Sequence, residues 1–500
     1  MTSRRSWRRF DYLLLGALLL LSAYGVTMIY SATIATLGVE DAVQRQFMYL
    51  IAGTVLLLVT ASIDYRLLEI VQHPFAVLTP LVLGLASVGM VITWRVGQSS
   101  TAEGVSLLTI LLADITPVLL GLALVIAVGI ADRLWISRLD LVLTRTVLAA
   151  VLIGIVGAGV LALLRIEGVA SIAAQPDRLM ELTPHLMVVG LAVAYALDCL
   201  TLRITEILRN PLYVLTLVLL GIVFVIGQVA GGSQRWLGAG TVQPSELAKI
   251  LTILVLAKFF ADREERMEQF STVLVSLAVV ALPVVLIYLQ PDLGTALTLL
   301  AIWVAVAWVA KLRLRHLLVL VGTGVIVLPL AWLGLQDYMK RRVMLFLNPA
   351  SDPDSYFNVH QALVSIGSGG WTGKGLTQGT QNQLHFLRVR HTDFIFAVTA
   401  EELGFLGAVV MMCLLFFVLW RIVRIAERSR DMFGRLIAAG VAALILFQSL
   451  INIGMNLGLT PVTGIPLPFV SYGGSSFITL MLGIGLVESV AMRQKKLEFD

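Results

Sequence analysis

The chain has 500 residues, of which 58% are hydrophobic and only 13% charged, and its mean hydropathy is +0.92. This composition is too apolar for a soluble enzyme or a disordered scaffold, and it indicates a membrane protein with many spans. The 36 Lys and Arg residues exceed the 31 Asp and Glu residues. We expect this excess at the cytoplasmic membrane surface, so it does not imply a nucleic-acid partner. The two cysteines lie in apolar runs and predict neither a disulfide framework nor a metal cluster.

Fourteen segments are apolar enough to be membrane helices, each near the length of about 20 residues that crosses roughly 30 Å of hydrocarbon. The first follows four arginines, but its apolar run is too long for a cleaved signal peptide, so we expect an uncleaved anchor. The segments lie at approximately 11–33, 46–63, 74–95, 105–131, 142–164, 182–202, 211–230, 246–260, 271–289, 293–310, 316–336, 395–420, 436–456 and 469–492.

Positive charge predicts the topology, because most Lys and Arg residues fall in alternate loops on the side that also holds the N-terminus. By the positive-inside rule, both termini are then cytoplasmic. The one long connection, at about 337–394, lies outside the cytoplasm and is large enough to hold a site. The predicted fold is therefore an all-α polytopic membrane protein with its chemistry at the outer surface of the membrane.

An internal repeat indicates an insertion, since residues 66–84 align without gaps to residues 203–221. Removing one repeat length leaves ten spans and keeps the sidedness of everything downstream. Asp114 and Asp198 lie in apolar runs of the insertion, where a hydrogen bond between helices is favoured over a functional role. The predicted domains are core helices 1 and 2 at 1–73, an inserted four-helix module at 74–210, and the remaining helices of a ten-helix core at 211–493.

The first polar motif, GGSQRWLGAGTVQPSELAK, joins two spans through a Gly-rich outer turn that contains Arg235 and Trp236. A Trp at this depth is either an interfacial anchor or a surface for substrate. Ser245 is the predicted N-cap of the helix that follows. Glu246 and Lys249 are three residues apart on one helical face, so we expect them to pair as a structural support.

The long outer loop ends in HTDFIFA, at residues 391–397, and runs directly into a span. From its position alone, Asp393 has two interpretations: a general base at the membrane surface, or a first-turn residue favoured by the helix dipole with Thr392 as N-cap. His391 is either a neighbour that donates a hydrogen bond or a proton carrier.

Two further groups have alternative roles. Glu401 is expected about two turns deeper in the span than the HTDF motif, where it either pairs with Lys249 or tunes the site. A Pro- and Gly-broken string, NIGMNLGLTPVTGIPLPFVSYGGSS, precedes the final helix. In it, Ser471, Gly473 and Gly474 are predicted to allow close helix packing, with a substrate groove as the alternative.

These motifs resemble those of the SEDS family of polytopic membrane proteins (RodA, FtsW and SpoVE). HTDFIFA, QPSELAK and the final string fit the family patterns, and IGSGGWTGKG, GTQNQL, FLRVRHTDF and AEELGFLG are more similar to RodA-type than to FtsW-type members. The resemblance covers residues 1–73 and 211–493, and the inserted module departs from the ten-span pattern.

The resemblance implies a peptidoglycan glycosyltransferase that polymerises lipid II, a disaccharide peptide linked to undecaprenyl pyrophosphate. The reaction would take place on the outer face of the bacterial cytoplasmic membrane and serve elongation or division. The implied partners are a class B penicillin-binding protein that crosslinks the product and the elongation or division machinery. The implied catalytic residue is Asp393, which would take the proton of the attacking sugar hydroxyl.

The leaving pyrophosphate needs cations or hydrogen-bond donors. A divalent cation, Mg²⁺ or Mn²⁺, is an alternative aid, although no ligand spacing in the loop specifies one. The candidate substrate-binding residues on the outer face are Arg235, Trp236, Lys374, Arg388, Arg390 and His391, with Arg341 and Arg342 as further cations.

Three other functions compete with polymerisation. A flippase for a lipid-linked precursor would use the same helical body and broken helices without forming a bond. A solute or ion transporter would place its charges near the bilayer midplane. A non-catalytic scaffold would not need an intact HTDF motif. Because the richest polar strings lie in outer loops and at helix ends, the sequence favours chemistry at the membrane surface.

Overall fold

A computed structural model of the chain describes residues 7–34, 41–71, 210–226, 228–230, 233–236, 243–316, 318–320, 322–323, 337–349, 353–384, 386–387 and 389–494. Four predicted spans, at 74–95, 105–131, 142–164 and 182–202, lie outside these residues, as does most of the predicted span at 316–336. Asp114, Asp198 and Arg388 also lie outside them.

Most of the described chain is helical, as the sequence predicts. A short 3₁₀ turn at Glu264–Arg266 follows the fifth helix. In chain order the helices and strands are α1 (Tyr12–Thr33), α2 (Ala42–Ser62), α3 (Tyr65–Val71), α4 (Pro211–Ile226), β1 (Gln228–Ala230), β2 (Ser233–Trp236), α5 (Pro244–Ala261), α6 (Phe270–Leu289), α7 (Leu293–Val309), α8 (Asp337–Leu347), α9 (Pro353–Ser368), α10 (Thr380–Gln383), α11 (Ile395–Glu427), α12 (Met432–Asn456) and α13 (Gly474–Met492).

Six of the described helices, α1, α2, α6, α11, α12 and α13, are long and apolar enough to cross a membrane. Each overlaps a predicted span. The helix α5 carries three charged residues, Glu246, Lys249 and Lys258, and it is nevertheless buried along most of its length. The expectation of a helical protein with several membrane spans is therefore confirmed.

Two details differ from the prediction. The described chain is mostly helical, and it also contains an antiparallel hairpin of β1 and β2, in which Gln228 pairs with Trp236. The glycine pair between these strands in the sequence is typical of such a connection. Ser245 is not the N-cap of α5, since the helix begins at Pro244 with Gln243 as N-cap. Proline suits the first helical position because its missing N–H would have no partner there.

Aspartates cap three of the helices. The side chain of Asp11 accepts from the amide of Leu14 at the start of α1, and Asp431 accepts from Gly434 at the start of α12. Asp292 caps α7 in the same way. Each carboxylate satisfies an amide that the helix leaves unpaired, which fixes where an apolar segment starts.

Small residues let the helices approach closely. A Cβ atom at Gly485 of α13 would lie 2.8 Å from the backbone oxygen of Leu57 in α2. From the other helix of this pair, a Cβ atom at Gly53 of α2 would lie 2.9 Å from the side chain of Met481 in α13. Close backbone approach increases van der Waals contact, which is the main attraction available between helices in lipid.

The long helix α11 is kinked at Gly404, whose φ of +67° is a left-handed conformation that favours glycine. The segment 369–375 docks on the kink through backbone bonds, of which Lys374 N to Glu401 O is 3.0 Å and Phe405 N to Gly370 O is 2.8 Å. A Cβ atom at Gly373 would lie 2.1 Å from the oxygen of Glu402, so the two backbones meet without side chains between them. The kink therefore anchors the connection that leads to the HTDF motif.

Candidate active site

Asp393 lies in a turn immediately before α11 rather than in the helix. Its amide donates to Val389 O at 3.2 Å, and the helix begins at Ile395 with Phe394 as N-cap. The alternative in which Asp393 is a first-turn residue capped by Thr392 is therefore wrong. Asp393 is partly exposed. From this position its carboxylate can face a polar group that lies beside the start of the apolar helix.

Two buried asparagines of α12 hold the backbone of Asp393. The Nδ2 atoms of Asn452 and Asn456 donate to Asp393 O at 3.1 and 3.0 Å. Asn452 Nδ2 also donates to Ile465 O at 2.8 Å, while Asn456 Oδ1 accepts from Ala397 N at 3.2 Å. Because both side chains are fully buried, these bonds fix the position of the turn with little freedom.

The two residues before Asp393 are held by the string that precedes α13. The hydroxyl of Ser471 donates to Thr392 O at 2.6 Å, and the amide of Tyr472 donates to His391 O at 2.9 Å. All three carbonyls of the His-Thr-Asp sequence thus accept bonds from the segment 452–472. This arrangement positions a carboxylate in advance of any reaction.

Burial and positive charge both act on the Asp393 carboxyl. Desolvation by burial raises its pKa above the ordinary value, while a hydrogen bond from Thr392 and the charges of Arg342 and Arg235 act in the opposite direction. A Cβ atom at Gly464 would lie 3.8 Å from Asp393 Oδ2, an ordinary van der Waals contact, so Gly464 lies beside the carboxylate. Burial together with charged neighbours makes this carboxyl a candidate for a functional residue.

The two guanidinium groups near Asp393 come from separate elements. Arg235 of β2 pairs with Asp292 at 3.1 Å, and Gln243 Nε2 donates to the same carboxylate oxygen at 3.2 Å. Arg342 of α8 donates to Val462 O at 3.1 Å. Trp236 is half-buried next to Arg235 on the hairpin.

Two other predicted cations bind within the protein. Arg390 is buried, with Nε donating to Ala32 O at 2.6 Å and Nη1 donating to Asn382 O at 2.8 Å. Lys374 forms an ion pair with the buried carboxylate of Glu401 at 2.9 Å. Their contacts are those of groups that hold the loop in place.

One of the two alternatives for Glu401, pairing with Lys249, is wrong. Lys249 pairs with Glu246 at 2.8 Å in the interior of α5, as their spacing allows, and Glu401 pairs with Lys374 instead. The loop that carries Lys374 binds α11 beside the kink at Gly404, next to Glu401.

His391 is half-buried, and its ring lies 5.7 Å from that of Tyr472. Desolvation, followed by the charge of Arg390, lowers the pKa of His391, so the neutral ring is favoured. Gly474 packs on α2, because a Cβ there would lie 2.5 Å from the ring of Tyr49. Gly473 is the N-cap of α13.

No group of three or more His, Cys, Asp or Glu side chains that could hold a metal ion occurs in the part of the chain that the structure describes.

Sequence reasoning missed the roles of Asn452, Asn456 and Asp292. The two asparagines are four residues apart inside an apolar segment, and a pair of amides on one face of a membrane helix is itself a signal of a polar partner. The sequence identifies Asp292 only as an acidic residue at a helix start. Its pairing with Arg235 could not be predicted, because Arg235 is distant in sequence.

The fixation of the turn can be tested with Asn456→Leu. This change leaves the buried amide of Ala397 without its acceptor and removes one donor to Asp393 O. We expect the free energy of unfolding to fall by about 1–3 kcal/mol, the cost of an unpaired buried polar group. Leu450→Ala on the exposed face of the same helix is the control for thermal unfolding in detergent. Equal losses in both variants would contradict the assignment.

The fold and site define a helical membrane protein with a carboxylate fixed where a polar loop enters a long apolar helix. The profile of the FtsW/RodA/SpoVE family, described as cell cycle proteins, matches residues 144–496, and the chain belongs to this family. The family indicated by the sequence motifs is thereby confirmed.

Two relatives and one solved structure illustrate the similarity. Peptidoglycan glycosyltransferase MrdB of Escherichia coli is 38% identical over 335 residues, which are 65% of this chain and 89% of the relative. Stage V sporulation protein E of Bacillus subtilis is 38% identical over 273 residues, or 53% of this chain and 73% of the relative. A chain of a peptidoglycan synthase complex that coordinates polymerization and crosslinking has a TM-score of 0.60 and 24% identity, covering 97% of this chain and 99% of its own, and shows the fold.

Proposed function

We propose that the chain is a peptidoglycan glycosyltransferase that polymerises lipid II at the outer face of the bacterial cytoplasmic membrane. Its relative MrdB bears the name of this activity. The observation that carries the proposal is the Asp393 turn, whose three carbonyls accept hydrogen bonds from the segment 452–472 while the charges of Arg342 and Arg235 act on its carboxylate.

In the proposed reaction, the carboxylate of Asp393 takes the proton of a sugar hydroxyl. The oxygen of that hydroxyl attacks the anomeric carbon of the second lipid-linked sugar. The new carbon–oxygen bond forms as the bond to the pyrophosphate oxygen breaks, and the electron pair leaves with the pyrophosphate. A direct displacement inverts an α donor to a β-linked product. General base assistance of this kind contributes about 10²- to 10⁴-fold.

We assign Arg235 and Arg342 to the leaving pyrophosphate, because their charges act on Asp393, although Arg235 also binds Asp292 and Arg342 also binds Val462 O. Lys374 and Arg390 are better explained as groups that hold the loop, since they bind Glu401 and backbone carbonyls. A divalent cation is an additional means of neutralising the pyrophosphate, because a bound metal ion stabilises the negative charge that develops on phosphate oxygens.

The topology belongs to the same proposal: 14 spans, cytoplasmic termini and an outer segment at about 337–394. The chain divides into two compact units, one of Met1–Gln72 with Leu215–Asp500 and one of His73–Val214. This division supports an inserted module at 74–210 between the two parts of a ten-helix core.

The proposed partner is a class B penicillin-binding protein that crosslinks the glycan, within the elongation or division machinery. The solved complex that shares this fold couples polymerization to crosslinking, which supports such a pairing. A partner would act on the strand as it leaves the site.

Polymerisation and transport of the precursor can be separated in liposomes that contain the purified chain and carry lipid II in the outer leaflet alone. We expect glycan strands to form without movement of lipid II to the inner leaflet. Transfer of lipid II between leaflets with no strand formed would support a flippase and contradict the proposal. Neither transfer nor strands, with the partner present, would support a scaffold.

The pH dependence of the reaction should report Asp393. A base acts in its deprotonated form, and burial raises the pKa of Asp393, so the rate should fall on acidification with a midpoint above about 3.9, the ordinary value for Asp. Arg235→Gln removes a positive charge that lowers this pKa, so the midpoint should move to higher pH. Initial rates at saturating lipid II test this, and a midpoint that moves to lower pH would contradict it.

A further inference from the structure

A buried carboxylate outside the proposed reaction holds the loop before the catalytic turn. Glu402 of α11 is fully buried. Its Oε2 accepts from Ser31 Oγ at 2.5 Å and from Thr377 N at 3.1 Å, and its Oε1 accepts from Asn382 Nδ2 at 2.8 Å. One carboxylate thus joins α1, α11 and the segment 374–384.

Asn382 carries these contacts toward the active site. Its amide donates to the neighbouring carboxylate, Glu401 Oε2, at 3.2 Å, and its Nδ2 also donates to Ser31 O at 3.2 Å. Its own carbonyl accepts from Arg390 Nη1 at 2.8 Å. Arg390 immediately precedes His391, so a continuous set of buried bonds leads from Glu402 to the start of the His-Thr-Asp sequence.

Backbone strain provides a separate observation at the same place. Thr377 has a φ of +63°, a conformation that is costly for a β-branched residue. Its amide is held by Ser31 Oγ and Glu402 Oε2. Strain of this kind persists only where the surroundings enforce it, and it concentrates at functional sites.

We propose that Glu402 and Asn382 are positioning residues for the glycosyltransferase reaction, acting through Arg390. This inference rests on the proposed function. The catalytic turn is then held from two sides, by the segment 452–472 on its carbonyls and by the Glu402–Asn382–Arg390 contacts at its start. Neither residue is assigned a contact with substrate.

The test is steady-state polymerisation of lipid II by the purified full chain. In Glu402→Gln, one carboxylate oxygen becomes an NH2 donor. The side chain can then accept from Asn382 Nδ2 or from Ser31 Oγ and Thr377 N, but not from both sides, with little change of shape. We expect kcat to fall by about tenfold to a hundredfold, because a small misplacement of a reacting group has effects of this size, while the KM for lipid II stays within about twofold. Leu384→Ala, an exposed position on the same loop, is the control and should keep the kcat of the wild type.

A second variant keeps the test decisive if stability also falls. Asn382→Leu removes the donor of the same contact, so the double variant of Glu402→Gln with Asn382→Leu should lose little more kcat than the more impaired single variant. A kcat that follows only the loss of folded protein, or a raised KM at unchanged kcat, would overturn the positioning role. Full activity of Glu402→Gln, measured beside an inactive Asp393→Asn, would overturn the positioning role and leave the proposed function intact. No polymer from the wild type would refute the proposed function.

Discussion

Asp393→Asn is expected to lower the rate of glycan polymerisation by about 10²- to 10⁴-fold, the usual contribution of a general base. The amide has nearly the shape of the carboxylate but cannot accept the proton of the attacking hydroxyl. The bonds that hold this residue go to its backbone carbonyl, from Asn452 and Asn456, so the turn should keep its position. Initial rates with purified lipid II at matched amounts of folded protein measure the effect.

Asp41→Asn is the matched control for this change. Asp41 is 70% exposed and pairs with Arg45 at 3.6 Å, a surface contact that contributes little to stability. Its loss should leave the polymerisation rate unchanged. Similar rates for wild type and Asp393→Asn would mean that the catalytic carboxylate has been misassigned.

Lys249→Met should have the largest effect on stability. Lys249 and Glu246 lie in α5 with side chains that are 2% and 6% exposed and 2.8 Å apart. Removing the ammonium group leaves a buried carboxylate without its partner, which typically costs about 3–5 kcal/mol. We expect a large fall in the thermal unfolding temperature in detergent and a low yield of folded protein.

The double variant Glu246→Gln with Lys249→Met separates charge from packing. It removes both charges at once, so it should be more stable than Lys249→Met alone. If the single and double variants were equally unstable, the loss would come from packing around α5 rather than from an unpaired charge.

Local patterns in the sequence were enough to predict much of the fold. The six long helices follow from hydropathy, because a segment of about 20 apolar residues has few alternatives in a membrane. The pair of Glu246 and Lys249 follows from a spacing of three residues on one helix. The hairpin at 228–236 was missed because two short strands carry almost no hydropathy signal.

Contacts between distant segments could not be predicted in the same way. Lys374 pairs with Glu401 because α11 is kinked at Gly404 and receives the loop there, and nothing in the charge pattern favours this pair over Lys249 with Glu401. Similarly, Arg390 looks like an exposed cation in sequence, and its burial depends on the carbonyls of Ala32 and Asn382.

The candidate base was identified through resemblance, since a lone Asp before a helix is more often a structural residue. The structure adds a physical reason, because the Asp393 turn is fixed by Ser471 and two asparagines while burial raises the pKa of its carboxyl. The segment 452–476 therefore holds the Asp393 turn in addition to its role in helix packing.

The role of Asp393 as the base of a polymerase is tested most directly by counting, in one reaction of the purified chain with lipid II, the undecaprenyl pyrophosphate released and the β-linked bonds formed. We expect one pyrophosphate lipid for each new bond with the wild type, and almost none of either product with Asp393→Asn. Equal product from both proteins, or wild type that forms no bonds and releases no pyrophosphate lipid, would contradict it.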